Sequence, residues 1–387
     1  METLIFLAVV LLLGTLSSVL AYKLRVANVF FLLMIGIVLN HLGYNSFSNE
    51  LIVTITIIAV VMIIFSGSLR FRLKELGKYS SQAVKLASIF FISNLFILSI
   101  ATLWLFDLDL YILALIFATL MYSIDPAITL SMLGTIKNKL VKIVEIESII
   151  NTPVTVIIPL SLLGVLGSPL LINYINISQQ FILFILQFMV ALGLGLIFGV
   201  IVTTIISKLR LGDLSFIILI TSAIVAYISG ELLKGSGVLT VTVFGVYFGN
   251  YHIRKKMQLE KFTIIFSDIL KMIVFILIGS MIVINGNASF LLKGTLLFII
   301  HLVIRFFSVI ISFKGINLKE KLFISLNVPK GIEVAVVSLM IIMTFSHING
   351  IMIILNLSFL FMLYSIVLST IITRFSDYFL GKNVKEE

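Results

Sequence analysis

The sequence predicts an all-α polytopic membrane protein of about 13 transmembrane helices, an inverted repeat of two six-helix halves joined by one helix. Three observations carry this. Hydrophobic residues make up 60% of the 387 and charged residues only 11%, whereas a soluble protein keeps roughly a quarter of its residues charged. Lysine and arginine concentrate at every second junction between apolar runs. Proline interrupts an apolar run at the same ordinal place in each half.

Crossing the hydrocarbon core takes about 20 apolar residues, fewer where a helix is broken or buried by its neighbours. Such runs lie near 3–21, 27–41, 50–69, 83–105, 109–131, 141–166, 179–207, 214–232, 235–250, 262–285, 289–313, 321–345 and 350–373. The first begins at Leu4 with no basic residue before it and meets Lys23 and Arg25 without a small-residue cleavage site. It reads as a retained helix rather than a signal peptide. Every odd-to-even junction is basic: Lys23 and Arg25; the Arg70–Lys85 group; Lys137, Lys139 and Lys142; Lys208 and Arg210; the Arg254–Lys261 group; Lys314, Lys319 and Lys321. The tail adds Arg374, Lys382 and Lys385, while even-to-odd junctions carry only Lys234 and Lys293. Of the 27 basic residues, 22 therefore lie on one side and two on the other, with Lys271, Arg305 and Lys330 inside spans. Basic loops stay cytoplasmic, so the N-terminus is expected outside and the C-terminus in the cytoplasm. One missed helix would invert the alternation from its position onward.

Spans 1–6 and 8–13 then have opposite orientation, with span 7 between them, an inverted-repeat plan. Span 5 carries Asp125-Pro126 and span 12 carries Pro329-Lys330-Gly331. No residue-level repeat, soluble domain, long linker or low-complexity tract accompanies them. The net charge of +10 suggests nucleic acid only until its location is considered, since it sits in short membrane-flanking loops. No cysteine is present, which excludes disulfides, thiolate metal sites and cysteine nucleophiles. Nothing resembles a P-loop, a dinucleotide loop, a metal tetrad or a nucleophile–His pair, so neither an enzyme nor a cofactor is expected.

A carboxylate inside a bilayer-length segment is costly and marks function by default. Asp125 is the strongest candidate: a group for either a proton or a desolvated monovalent cation, with helix capping as the plainer reading. Pro126 cannot donate, which leaves the carbonyl near Tyr122 without its usual partner. Irregular backbone at this depth is tolerated only against protein or a polar cavity. In span 6, Glu147, Ser148, Asn151 and Thr152 share one broad helical face. Ser148, Asn151 and Thr152 offer neutral oxygens suited to a hard cation, or ordinary helix–helix hydrogen bonds. Glu147 reads as structural, because a buried charge wants a partner, and Lys330, Arg305 and Lys271 are the buried cations on offer. Lys330 either counters Glu147 across the bundle or pairs with Glu333 on its own helix. Asp268 and Lys271 read as a local i, i+3 salt bridge. His41, His252 and His347 lie near span ends and form no ligand cluster.

Ser123-Ile-Asp125-Pro126, Glu147-Ser-Ile-Ile-Asn151-Thr152-Pro153, Arg305 and Pro329-Lys330-Gly331 occur in that order across nearly the whole chain. This pattern resembles the NhaP-type monovalent cation/proton (sodium/proton) antiporters, prokaryotic relatives of animal sodium/proton exchangers. The resemblance implies a thirteen-helix inverted repeat that forms homodimers in the cell membrane. It implies scaffold or dimerisation helices over 1–82, core transport helices 4–6 over 83–167, linker helix 7 with scaffold helices 8–10 over 168–288, core helices 11–13 over 289–374, and a short cytoplasmic tail at 375–387. Four positions depart from the family pattern. Threonine-aspartate-proline reads Ile124-Asp125-Pro126; the asparagine-aspartate pair reads Asn151-Thr152; arginine-glycine reads Lys330-Gly331, which loses the bidentate fork; and a glutamate of close relatives is Ser66.

The expectation is electroneutral exchange of sodium, or of lithium or potassium, for protons by alternating access. Asp125 is the shared group, Ser148, Asn151 and Thr152 are neutral ligands, and Glu147 and Lys330 hold spans 6 and 12 together. Glu333 is a possible replacement for the carboxylate missing at Thr152, against the simpler reading that it pairs with Lys330. A chain without its main carboxylate also fits a non-transporting homologue or a sensor subunit.

Overall fold

The computed structural model describes the chain apart from residues 1, 25–27, 43–48, 71–79, 134–135, 137, 167–176, 210–211, 213, 254–255, 282–287, 346–347 and 382–387. Outside the described residues therefore lie Arg25, Arg72, Lys74, Lys78, Lys137, Arg210, Arg254, Lys255, Lys382 and Lys385 of the basic junctions, and His347.

The helices fall on the predicted segments in order. α1 (Glu2–Leu24), α2 (Asn28–His41) and α3 (Asn49–Leu69) take the first three. The fourth is α4 (Ser80–Ser93) and α5 (Ser99–Phe106), joined by a π-helical turn at Asn94–Leu98. The fifth is split into α6 (Tyr111–Met121) and α7 (Pro126–Leu133), and the sixth is α8 (Lys139–Leu166). Then come α9 (Ile177–Leu209), α10 (Leu214–Leu232), α11 (Gly237–Asn250), α12 (Lys256–Met281) and α13 (Ala288–Ser312). The twelfth is split into α14 (Leu318–Leu326) and α15 (Ile332–Phe345), the thirteenth is α16 (Ile351–Arg374), and α17 (Ser376–Leu380) is a turn of helix in the tail. Among the described residues, 6 helices are long and apolar enough to cross a membrane; α2, α11 and the half-helices are shorter.

Both breaks follow from local chemistry. Pro126 has no N–H and sits at the first position of α7, where none is needed. Asp125 before it caps that helix, its Oδ1 accepting the Ile128 N–H at 2.8 Å. At the other break, α14 starts with a capping box, Asn317 and Glu320 each accepting the other's backbone N–H at 2.9 Å. It stops at Asn327 because Pro329 disfavours helix for the residue before it and cannot donate. α15 restarts after Gly331, whose carbonyl accepts the Ala335 N–H at 3.1 Å.

The chain packs as two compact units. One comprises Met1–Asn45, Leu76–Gly164 and Phe275–Glu387; the other comprises Ser46–Glu75 and Val165–Val274. This division cuts across the 1–82 segment expected from sequence, with α1 and α2 in the first unit and α3 in the second. Inside the first unit, α2 packs on α1 and α16. Inside the second, α3 packs on α10 and α11, and α11 on α9. Gly245 and Gly249 of α11 lie so close to the Ser68 Cβ and the Leu69 backbone that a Cβ at either would clash, which ties α3 to that unit. Also there, Ser66 donates to Ile63 O at 2.9 Å and bonds Ser267 Oγ at 3.0 Å. The Asp268–Lys271 salt bridge forms as expected, at 2.8 Å.

Candidate functional site

The two breaks meet within the first unit. The Asp125 N–H donates to Pro329 O at 2.9 Å, so the non-helical segment 123–125 lies against the non-helical segment 327–331. The Lys330 N–H bonds Ser365 Oγ on α16 at 2.9 Å. Breaking a helix leaves carbonyls at one cut end and amides at the other, with opposite partial charges. The side chains answer both. The Lys330 ammonium donates to Met121 O at 2.6 Å, on the last residue of α6, and to Ser123 O at 2.5 Å just beyond it. Asp125 and Glu333 stand at the starts of α7 and α15.

The carboxylate of Asp125 is 1% exposed. One oxygen caps α7, and the other lies against Gly331, where any Cβ would collide with it. Glu333, 6% exposed, reaches back from α15: its Oε1 accepts from Thr152 Oγ1 of α8 at 3.0 Å and its Oε2 from Ser123 Oγ at 3.3 Å. The Asp125 carboxylate acts electrostatically on it.

Behind this centre, Glu147 and Arg305 form a fully buried bidentate pair. Arg305 Nη2 donates to Glu147 Oε2 at 2.6 Å, and Nη1 donates to Oε1. The expected Glu147–Lys330 bridge is therefore replaced by Glu147–Arg305. The guanidinium fork matches both carboxylate oxygens, while the ammonium of Lys330 is taken by the carbonyls of the broken helix. Lys330 does not ion-pair with Glu333 either. The ring of Phe90 lies 4.7 Å from Arg305 and 6.0 Å from Lys330, a π-face shared by both cations.

Of the neutral ligands proposed from sequence, Thr152 faces Glu333. Asn151 donates to Tyr122 O at a long 3.5 Å, while its Oδ1 is buried without a hydrogen-bond partner. That same Tyr122 carbonyl is the one Pro126 leaves without its helical donor. Ser148 is buried on the same helix, but its hydroxyl turns back to Glu145 O at 2.7 Å. Three groups were given no role from sequence. Thr129, one turn beyond Asp125, keeps a buried, unpartnered hydroxyl; its i+4 spacing from Asp125 was the available signal. Ser123 supplies both a hydroxyl and a carbonyl. Asn94, in the π-helical turn, donates to Ala118 O at 2.5 Å and meets His301 Nδ1 at 2.9 Å; no sequence spacing pointed to it. Among the described residues no group of three His, Cys, Asp or Glu could hold a metal ion.

Residues 7–376 match the family described as sodium/hydrogen exchanger, transmembrane. The K(+)/H(+) antiporter NhaP2 of Shewanella baltica (strain OS223) is 27% identical over 196 residues, 50% of this chain and 34% of that one. The K(+)/H(+) antiporter NhaP of Alkalimonas amylolytica is 23% identical over 310 residues, 77% of this chain and 53% of that one. The low-affinity Na(+)/H(+) antiporter NhaS1 of Synechocystis sp. (strain ATCC 27184 / PCC 6803 / Kazusa) is 29% identical over 179 residues, 44% of this chain and 33% of that one. The aligned part thus spans about a third of the first of these relatives and about half of the second. The sodium proton antiporter MjNhaP1 from Methanocaldococcus jannaschii, in its structure at pH 8, superposes with a TM-score of 0.82 at 21% identity, covering 100% of both chains. That likeness establishes the fold.

Proposed function

Since the chain belongs to the transmembrane sodium/hydrogen exchanger family, we propose that it exchanges sodium for protons across the cell membrane, with Asp125 as the group for which the two compete. The observation that carries this is the Asp125 carboxylate itself, buried where two broken helices cross. Two buried oxygens on the adjoining helices lack hydrogen-bond partners: Asn151 Oδ1 on α8 and the Thr129 hydroxyl on α7. Neutral oxygens and one carboxylate suit a hard monovalent cation stripped of water. Thr152 and Ser148 extend that face of α8.

Exchange follows from the cost of leaving such a carboxylate bare. With neither a cation nor a proton bound, the buried negative charge of the site is too unfavourable to move across the bilayer. The site therefore changes sides only when loaded with a cation or a proton, which couples the two fluxes in alternating access. The core segments 83–167 and 289–374 carry the site, and the flanking helices serve as scaffold of a homodimer. The basic-residue asymmetry supports an external N-terminus and a cytoplasmic C-terminus.

Potassium is the second reading, favoured by two relatives that are K(+)/H(+) antiporters. The test is the purified protein in vesicles with an acid interior and an internal pH dye, given NaCl, LiCl, KCl or choline chloride outside. Sodium-dependent alkalinisation of the lumen is expected. Dissipation by potassium alone would change the substrate, and no response to any of the three cations would remove antiport.

A further inference from the structure

We propose that Glu333 is the second ion-binding carboxylate of this site, standing on α15 in the place left by the absence of a carboxylate at Thr152 on α8. The inference rests on the antiport reading and names a further ligand for it.

Geometry comes first. Glu333 sits two residues after Gly331, against which the Asp125 carboxylate packs, and its side chain extends to Thr152 rather than to Lys330. Its side-chain oxygens accept from two hydroxyls, at 3.0 and 3.3 Å. No lysine, arginine or histidine nitrogen lies within ion-pair distance of it among the described residues. A helix start favours an acidic residue, but it does not require one that reaches across to α8.

Charge comes second. The groups facing this centre are Asp125 at the start of α7, Glu147 on α8, Arg305 on α13, and Lys330 and Glu333 around the second break. Glu147 and Arg305 cancel as a pair. Lys330 balances one of the two remaining carboxylates. With the imidazole of His301 counted as neutral, the cluster carries one uncompensated negative charge. A single monovalent cation or a single proton neutralises it, and a buried cluster demands that neutralisation. Without Glu333 the cluster would already be neutral, and Asp125 with Lys330 would leave no electrostatic reason to bind a cation.

The hydroxyl of Thr152 supplies the third observation. It lies 3.0 Å from Glu333 Oε1 and 3.0 Å from Ser148 O, yet a hydroxyl has one proton to donate. With Glu333 ionised, Thr152 donates to it. With Glu333 protonated, the carboxyl O–H donates to Thr152 Oγ1, and Thr152 turns its own proton to Ser148 O. Both states are fully hydrogen-bonded. An aspartate at 152 would instead face Glu333 with like charge, so the threonine and the glutamate fit each other.

The test measures binding and transport on wild type, Glu333→Gln, Glu333→Asp and Asp125→Asn. The purified proteins are melted in detergent with rising NaCl against choline chloride, and the apparent KM for sodium is read in vesicles. Glu333→Gln is expected to melt as wild type does in choline, to lose the sodium-dependent rise, and to raise KM at least about tenfold; Glu333→Asp should recover part of each. A Glu333→Gln protein with wild-type KM and sodium stabilisation, or one that merely melts lower at unchanged affinity, overturns the proposal. If Asp125→Asn still exchanges at the wild-type rate, the Asp125 reading falls while the Glu333 response remains separately readable in melting. Wild type with no stabilisation by sodium, lithium or potassium overturns both.

Discussion

The amide of Asp125 donates to the carbonyl of Pro329 across 2.9 Å, joining two broken helices by main chain at the point where the buried carboxylates gather. The bond is possible because both segments have left the helix there: Pro126 disfavours helix at Asp125, and Pro329 lies in the gap between α14 and α15. An amide and a carbonyl that would otherwise close helical turns are free to bond each other. The site is thus built on backbone that neither helix alone can satisfy, which makes its two halves interdependent.

Asp125→Asn is expected to fold and insert normally and to abolish exchange. Asparagine caps helices as well as aspartate does, so the Ile128 N–H keeps its acceptor while the charge disappears. Elution at the wild-type volume with an unchanged melting temperature, together with flat dye traces on sodium addition, is the expected pair of results. Normal exchange in this variant would mean that Asp125 serves only as a cap.

Glu147→Gln and Arg305→Met should each cost about 3–5 kcal/mol, because each strands a buried charge. The double variant should recover a large part, giving a strong coupling in a double-mutant cycle. The same cycle run on Glu147 and Lys330 should show weaker coupling, since Lys330 is held by Met121 O and Ser123 O instead. Equal couplings would return Lys330 to the role of partner for Glu147.

Gly331→Ala introduces a methyl group into the space of the Asp125 carboxylate. Overpacking of this kind costs about 1–3 kcal/mol, and here the group displaced is the proposed ligand. Transport should fall much further than stability. Retained sodium affinity in Gly331→Ala vesicles would show that the carboxylate moves aside without consequence.

Much of this architecture was legible before any coordinates. Apolar runs mark the helical segments because lipid penalises charge inside a span. Asp125-Pro126 and Pro329-Lys330-Gly331 mark the breaks because proline removes a backbone donor wherever it stands. Partner choice was not legible. Whether Glu147 meets Arg305 or Lys330 depends on how α13 is rotated about its axis and on how far α14 unwinds, and no residue spacing encodes either. The reach of Glu333 to Thr152 had the same status: its position one turn past a break suggested it, but an i, i+3 pairing with Lys330 was the simpler reading of the spacing. The placement of α3 in the second unit depends on the close approach of Gly245 and Gly249, which is a three-dimensional fit and leaves no one-dimensional pattern.

The pH dependence of cation affinity tests the charge count directly. If a cation and a proton compete for one uncompensated charge, proton binding lowers cation affinity and cation binding releases a proton, by linkage. The sign is then fixed: below the pH at which the cluster takes up its proton, the apparent KM for sodium rises as pH falls, by about tenfold per pH unit for one displaced proton. Raising sodium at low pH should restore the maximal rate. One proton per cation also means no net charge moved, so a potassium–valinomycin diffusion potential of either sign should leave the rate unchanged. A steeper limit, approaching about a hundredfold per unit, would mean that Asp125 and Glu333 each release a proton to one cation. The exchange would then be electrogenic, and a diffusion potential would drive it. That result would retain both carboxylates as ligands and remove Lys330 as the charge that balances one of them.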